Sequence, residues 1–156
     1  MRDPQPSGQY QVHIEGDTVL STAVGVVTIA EARQLLACLD EVISRHGYCL
    51  LLSDSARFNT VTADARRLSA KWITGKPLLG IAVCNASFTA RTLLSLVMKG
   101  INLINPRAIP LTFVREESEA RAWLAERRRR HLERTATGQG PDPQSPASGP
   151  PPQAPL

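Results

Sequence analysis

Aromatic residues make up only 4% of this 156-residue chain, and cysteine occurs three times. Each shortage excludes something. Phe, Tyr and Trp nowhere interleave with basic residues, so the stacking platforms that hold single-stranded nucleic acid are missing, and nucleic acid is not an expected partner. Cys38, Cys49 and Cys84 are scattered, odd in number and without C-x-x-C spacing. That pattern supplies neither a disulfide framework nor a zinc site, and no metal or cofactor is expected. No apolar run reaches the roughly 18 to 20 residues that span a bilayer. The opening MRDPQPSGQ lacks the apolar segment of a secretory signal. The expectation is a soluble, cytoplasmic domain.

What is there divides unevenly. From Gly138 onward the chain holds seven of its twelve prolines and no periodic apolar residues. Such a segment cannot bury enough apolar surface to offset its ordering entropy. The expected organisation is a disordered start over 1–8, one α/β domain over 9–132 and a disordered proline-rich tail over 133–156. The net charge is +4, and its densest part is the run Arg127 to Arg130, flanked by His131 and Arg134. A basic run can touch phosphates or acidic lipid. It also suits the negative end of a helix dipole, solvated and diluted by Glu126 and Glu133, and this second reading is adopted.

Strand and helix patterns alternate along the domain. Tyr10 to Ile14 and Thr18 to Val24 flank Gly16-Asp17 and read as an antiparallel hairpin. Thr28 and Glu31 have capping-box spacing, and the following helix carries the stripe Ala32, Leu35, Leu36, Leu39, Val42 and Ile43 up to Gly47. Tyr48 to Leu52 is a doubly covered strand, followed by a loop containing Phe58. Thr62 is a candidate N-cap for a helix burying Ala65, Leu68, Ser69, Trp72 and Ile73, stopped by Gly75 and Pro77. Leu78 to Val83 is another buried strand. Ser87 or Thr89 opens a third helix, which Asn105-Pro106 ends. Ile109 to Val114 and a helix from Glu116 to about His131 complete the order ββαβαβαβα, a mostly parallel sheet with helices covering it.

That order, with the strands Cys49 to Asp54 and Ile81 to Val83 and the closing segment Phe113 to Leu124, resembles the STAS domain. This fold is shared by bacterial anti-sigma-factor antagonists and the cytoplasmic ends of sulfate transporters, and is often grouped with lipid-binding Sec14-type domains. The anti-sigma-antagonist-like branch is the most similar, and the resemblance covers about Tyr10 to Arg130. It implies a regulatory module that binds a protein partner. Antagonists of that branch carry Asp-Ser-Ser-Gly, with a phosphorylated serine, where this chain reads Phe58 to Ala63. No phosphosite is therefore carried across.

In open α/β sheets ligands collect where strands end and helices begin, beside free amides. Asp54, Ser55, Thr62, Asn85 and Ser87 are the candidates there, as ligand-edge groups or phosphoacceptors. Their ordinary role would be helix capping. Cys84 precedes a helix and invites a thiolate reading, but no motif links His13, His46 or His131 to it as a base. Asp54 is a lone carboxylate, Asp64 a helix-dipole partner, and Gly75-Lys76 follows a helix where a phosphate loop would precede one. No G-x-S-x-G or H-E-x-x-H occurs. An enzyme is not expected.

The third helix is unusual, because from Thr92 to Ile104 its only charge is Lys99. Leu93, Val97, Ile101 and Ile104 form a stripe suited to the sheet, with Leu94 and Met98 beside it as candidates for a partner or lipid surface. The functional expectation is a non-catalytic signalling module that docks a protein. The alternative is an apolar-ligand or lipid-binding domain using this helix, with peripheral membrane contact. Self-association remains open.

Overall fold

Strands and helices follow the expected order ββαβαβαβα in the computed structural model, which describes residues 10–138. The elements are β1 (Gln11–Glu15), β2 (Thr18–Val27), α1 (Ile29–His46), β3 (Cys49–Val61), α2 (Ala63–Ile73), β4 (Leu78–Cys84), α3 (Phe88–Ile104), β5 (Leu111–Val114) and α4 (Glu117–Thr137). The strands lie in chain order, β1-β2-β3-β4-β5, antiparallel at β1–β2 and parallel elsewhere. Of the segments 1–8 and 133–156, expected to be disordered, only 133–138 falls within the described residues and is treated below.

A sheet ordered like its chain constrains where its helices go. Each βαβ crossover is right-handed and steps in the same direction, so successive helices fall on one face. Side chains along a strand alternate between faces, and the core divides accordingly. Odd-numbered Val19, Leu51, Ile81 and Val83 pack with Leu36, Leu39 and Val42 of α1, Ile73 of α2, and Met98 and Ile101 of α3. Even-numbered Leu50, Leu52, Ala82 and Cys84 pack with Ala120 and Leu124 of α4. Three helices cover one face and a single helix serves the other.

Local signals position these elements. Glu31 accepts from the Thr28 backbone N–H at 2.7 Å and from its hydroxyl, tying down the start of α1. Gly47 ends α1 at φ 80°, a left-handed conformation that glycine adopts without strain. At its far end α1 meets α2 through Asp40, which accepts from the Trp72 indole at 3.0 Å and from Lys76 at 2.9 Å. On the other face α4 approaches β4 closely at Gly80, where an added Cβ would stand 2.9 Å from the Trp123 ring.

Two elements outrun their expected ends. Ser53 to Val61, anticipated as a loop in its later part, continues β3 in parallel pairing with β2, and register shifts near Val24 and Val26 absorb the irregularity. Its Ser, Asp and Asn residues are turn-formers by local preference. Long-range pairing overrides them, and Phe58 and Val61 pack with Tyr10, Ala23 and Val27. Helix α4 runs to Thr137, five residues past the expected domain end at Leu132.

The arginine run therefore sits within a helix, and one member of it is not simply solvated. Arg128 grips Asp17 through two bonds, Nε to Oδ2 at 2.6 Å and Nη2 to Oδ1 at 2.7 Å. Asp17 also accepts from the Tyr48 hydroxyl at 2.8 Å and Thr18 Oγ1 at 3.0 Å. Arg121 reaches Glu15 in the same hairpin. Arg129 and Arg130 pair along the helix with Glu126, and Arg129 also with Glu133. Burial raises the Asp17 carboxyl, but the bonds from Arg128, Tyr48 and Thr18, with the guanidinium charge, outweigh it and hold the group at about 2. A depressed carboxyl contributes stability that is complete above its unfolded value of 3.8 and is lost as pH falls through about 2. Acid unfolding should accordingly shift to higher pH in Arg128→Ala, with about 2 to 3 kcal/mol lost at neutral pH. Urea titrations at neutral pH and near pH 3 measure both effects, and an unchanged acid midpoint would refute the clamp.

Candidate functional site

The strand-end candidates do not converge on one point. Strand β4 stops pairing with β3 at Asp54–Cys84, whereas β3 continues with β2 for seven residues to Val61. At about 3.3 Å per residue, Thr62 lies more than 20 Å along the strand from Asp54. Asp54, Asn85 and Ser87 stay together at the β4 end. Asn85 Nδ2 donates to Asp54 Oδ1 at 3.4 Å, and the same oxygen accepts from the Ala56 amide at 3.0 Å. Asn85 takes φ 61°, the one left-handed non-glycine residue among those described, and turns the chain from β4 toward α3.

Two of these hydroxyls are helix caps. Ser87 accepts from the Ala90 amide at 3.1 Å and opens α3, which settles the choice between Ser87 and Thr89. Thr62 accepts from the Ala65 amide at 3.4 Å and donates to Asp64 at 2.5 Å. Ser55 is 3% exposed, so a ligand or a kinase does not reach it in the folded protein. Its place as a ligand-edge group is withdrawn, because β3 continues through it as a strand.

The chemistry along this edge is unreactive. Burial, and then the carboxylates of Asp54 and Glu117, push the Cys84 thiol above its ordinary range. Burial is also the main cause that takes Cys49 up to about 12. A protonated thiol is a poor nucleophile, and Asp54 is occupied by Asn85 and the Ala56 amide. Among the described residues no three His, Cys, Asp or Glu side chains group as metal ligands. Cys49 and Cys84 should resist a thiol reagent at about pH 8 until the protein is unfolded. Rapid modification of Cys84 in the folded state would reinstate it as a nucleophile.

What overhangs the β4 end is a backbone feature. Leu50 N–H donates to Asp17 and Thr62 N–H to Val27, both toward β2. Between these two points register shifts near Val24 and Val26 interrupt the alternation along β3, and the Ala56 amide turns to the Asp54 carboxylate. Beyond Asp54 no described strand pairs on the side away from β2. Arg66 Nη1 donates to the Val61 carbonyl at 2.6 Å, while Arg57 and Asn59 are exposed. The result is a short open edge beside the start of α3, where Phe88 is 83% exposed. Sequence reasoning missed it because the segment read as a loop.

Helix α3 meets the sheet through Val97 and Ile101 of its expected stripe, and the buried arc widens to include the residues beside them. Met98 is 7% exposed and Leu94 packs against the same core, so these two candidates are core residues. Ile104, expected on the sheet, is 71% exposed, together with Leu96 and Leu103. Both arcs of this helix are apolar, so hydropathy alone does not choose between them. Polar docking does: the Asn102 side chain donates to the Ile109 carbonyl at 3.3 Å and accepts its N–H at 3.0 Å, and buried Asn105 accepts from Gly75 N–H at 3.4 Å. Met98→Gln should cost about 3 kcal/mol, and Leu96→Gln should stay within about 1 kcal/mol in chemical unfolding. Equal losses in the two variants would contradict this orientation.

No family model matches the sequence, and no curated protein matches it. The fold does have counterparts among solved structures. An uncharacterised protein from Shewanella loihica with a SpoIIAA-like fold aligns at TM-score 0.52 and 17% identity, over 80% of this chain and 99% of that one. The anti-sigma factor antagonist SpoIIAA in its unphosphorylated form aligns at TM-score 0.47 and 15% identity, over 75% and 98%. The phosphorylated Bacillus cell fate determinant SpoIIAA aligns at 0.45 and 15%, over 74% and 99%. This chain has a SpoIIAA-like fold.

Proposed function

We propose that this domain is a non-catalytic regulatory module of the cytoplasm that docks a protein partner along the open edge of β3. The observation that carries the reading is the overhang itself, in which β3 runs seven residues beyond the last β4 pair. Backbone groups on the side of β3 that β4 leaves unpaired can take up an extended segment by strand addition, a mode in which backbone bonds supply affinity and alternate side chains supply selectivity. Exposed Arg57 and Asn59 flank that edge. Phe88, 83% exposed at the adjoining helix start, offers an aromatic anchor of the kind that dominates binding energy at interfaces. The protonated thiols and the occupied Asp54 support the non-catalytic part.

Arg57 and Asn59 are exposed, so changing them alters the edge without touching the core. Arg57→Glu with Asn59→Glu should keep its unfolding transition near that of the wild type and lose a protein captured by affinity pull-down. Hydrogen exchange at residues 57–61 should slow in the complex. Undiminished capture by the folded double variant, with unchanged exchange at 57–61, would refute strand addition as the docking mode.

A further inference from the structure

Helix α3 presents a second surface that the β3 edge does not explain. On a 3.6-residue repeat, Phe88, Thr92, Leu96, Lys99 and Leu103 fall along one outward line, while Ile104, the last residue of the helix, lies off it. Phe88 and Leu103 are each 83% exposed, Leu96 63% and Ile104 71%. Over 17 residues this makes an apolar strip about 25 Å long. Thr92 and Gly100, small and exposed, leave the large side chains projecting from it.

Helix α3 itself carries charge of one sign. Between Asp64 and Glu116 the sequence contains no Asp or Glu, while it places eight Lys and Arg there. Seven lie in α2, in α3 and in the segments leading to β4 and β5, and Arg115 follows β5. One of the seven, Lys76, pairs with Asp40 of α1. Lys71, Lys99 and Arg107 are exposed. Arg91 lies over the Phe113 ring, its guanidinium 5.9 Å from the centroid, at the flank of the helix. A second copy of the chain, docked α3 to α3, would bring Arg91 and Lys99 against their own counterparts with no acid on the helix to offset them, which like-charge repulsion opposes. A long helix that offers Phe and Leu outward, with Lys and Arg at its margins and no acid of its own, matches the chemistry of an anionic lipid surface.

We propose that the outward face of α3 is a peripheral docking surface for anionic membranes, in which Phe88, Leu96 and Leu103 enter the headgroup boundary and the surrounding cations meet lipid phosphates. Phe88 borders the β3 edge as well, whereas Leu96, Lys99 and Leu103 belong to this surface alone, so their substitution tests it independently of the edge. The full chain should co-sediment with vesicles containing about 30% phosphatidylglycerol in phosphatidylcholine. It should bind vesicles of phosphatidylcholine alone at least roughly tenfold more weakly, and lose most binding in about 1 M salt. Leu96→Gln with Leu103→Gln retains every charge and touches no core residue. It should keep the wild-type melting transition and bind anionic vesicles roughly tenfold more weakly. Lys99→Gln should weaken binding further at low salt. Failure of the wild type to bind anionic vesicles would overturn the proposal, as would undiminished binding by the double Gln variant. A dimer in sedimentation velocity that the double Gln variant abolishes would overturn it too, by assigning the face to a second copy.

Discussion

Five strands laid down in chain order impose most of what is distinctive here. Parallel neighbours linked by right-handed crossovers leave α1, α2 and α3 no choice of face. Only α4, which follows the last strand, is free to cross to the other side. That single helix must hold itself against a sheet it cannot fully cover. It does so by lying close at Gly80, through Trp123, and by the bidentate grip of Arg128 on Asp17 in the β1–β2 turn. The grip joins the two ends of the domain, and Tyr48 at the start of β3 shares it.

The same order accounts for the surfaces that stay open. Helix α3 completes the last crossover, so its inner arc meets the sheet and its outer arc meets no described element. Strand β3 pairs with a long β2 on one side and a short β4 on the other, and the difference in length becomes the free edge near Arg57 and Asn59. Neither surface depends on a reactive group. The Cys49 and Cys84 thiols are buried and held above their ordinary range, and the strand-end hydroxyls of Thr62 and Ser87 are engaged as caps.

Much of the fold was legible in advance. The alternating elements, the α1 stripe from Ala32 to Val42, Gly47 as its stop and the doubly covered strands all follow from local periodicity, which survives folding unchanged. The site was less legible. Asp54, Asn85 and Ser87 do gather at the β4 end, but Ser55 is sealed in β3 and Thr62 is a full strand-length away. Turn-forming residues from Ser53 to Asn59 disguised a strand, because only β2, some thirty residues earlier in the chain, supplies the pairing that straightens them.

By itself the sequence determined the order of elements, the fold class and the absence of recognisable catalytic motifs, since these rest on spacing along the chain. Only the tertiary structure decided how α3 is turned, how far β3 extends and what Arg128 does. Met98 and Leu96 are equally apolar on paper, and it is the docking of Asn102 onto Ile109 and of Asn105 onto Gly75 that places one in the core and the other in solvent. Arg128 is one of four consecutive arginines, and it alone meets Asp17 because the path of α4 across the sheet brings its side chain over the β1–β2 turn. Neither a side-chain bond across a turn, such as Asn102 to Ile109, nor a contact between distant segments, such as Arg128 to Asp17, carries a signature in local periodicity, and in this protein such contacts set which side chains stay exposed.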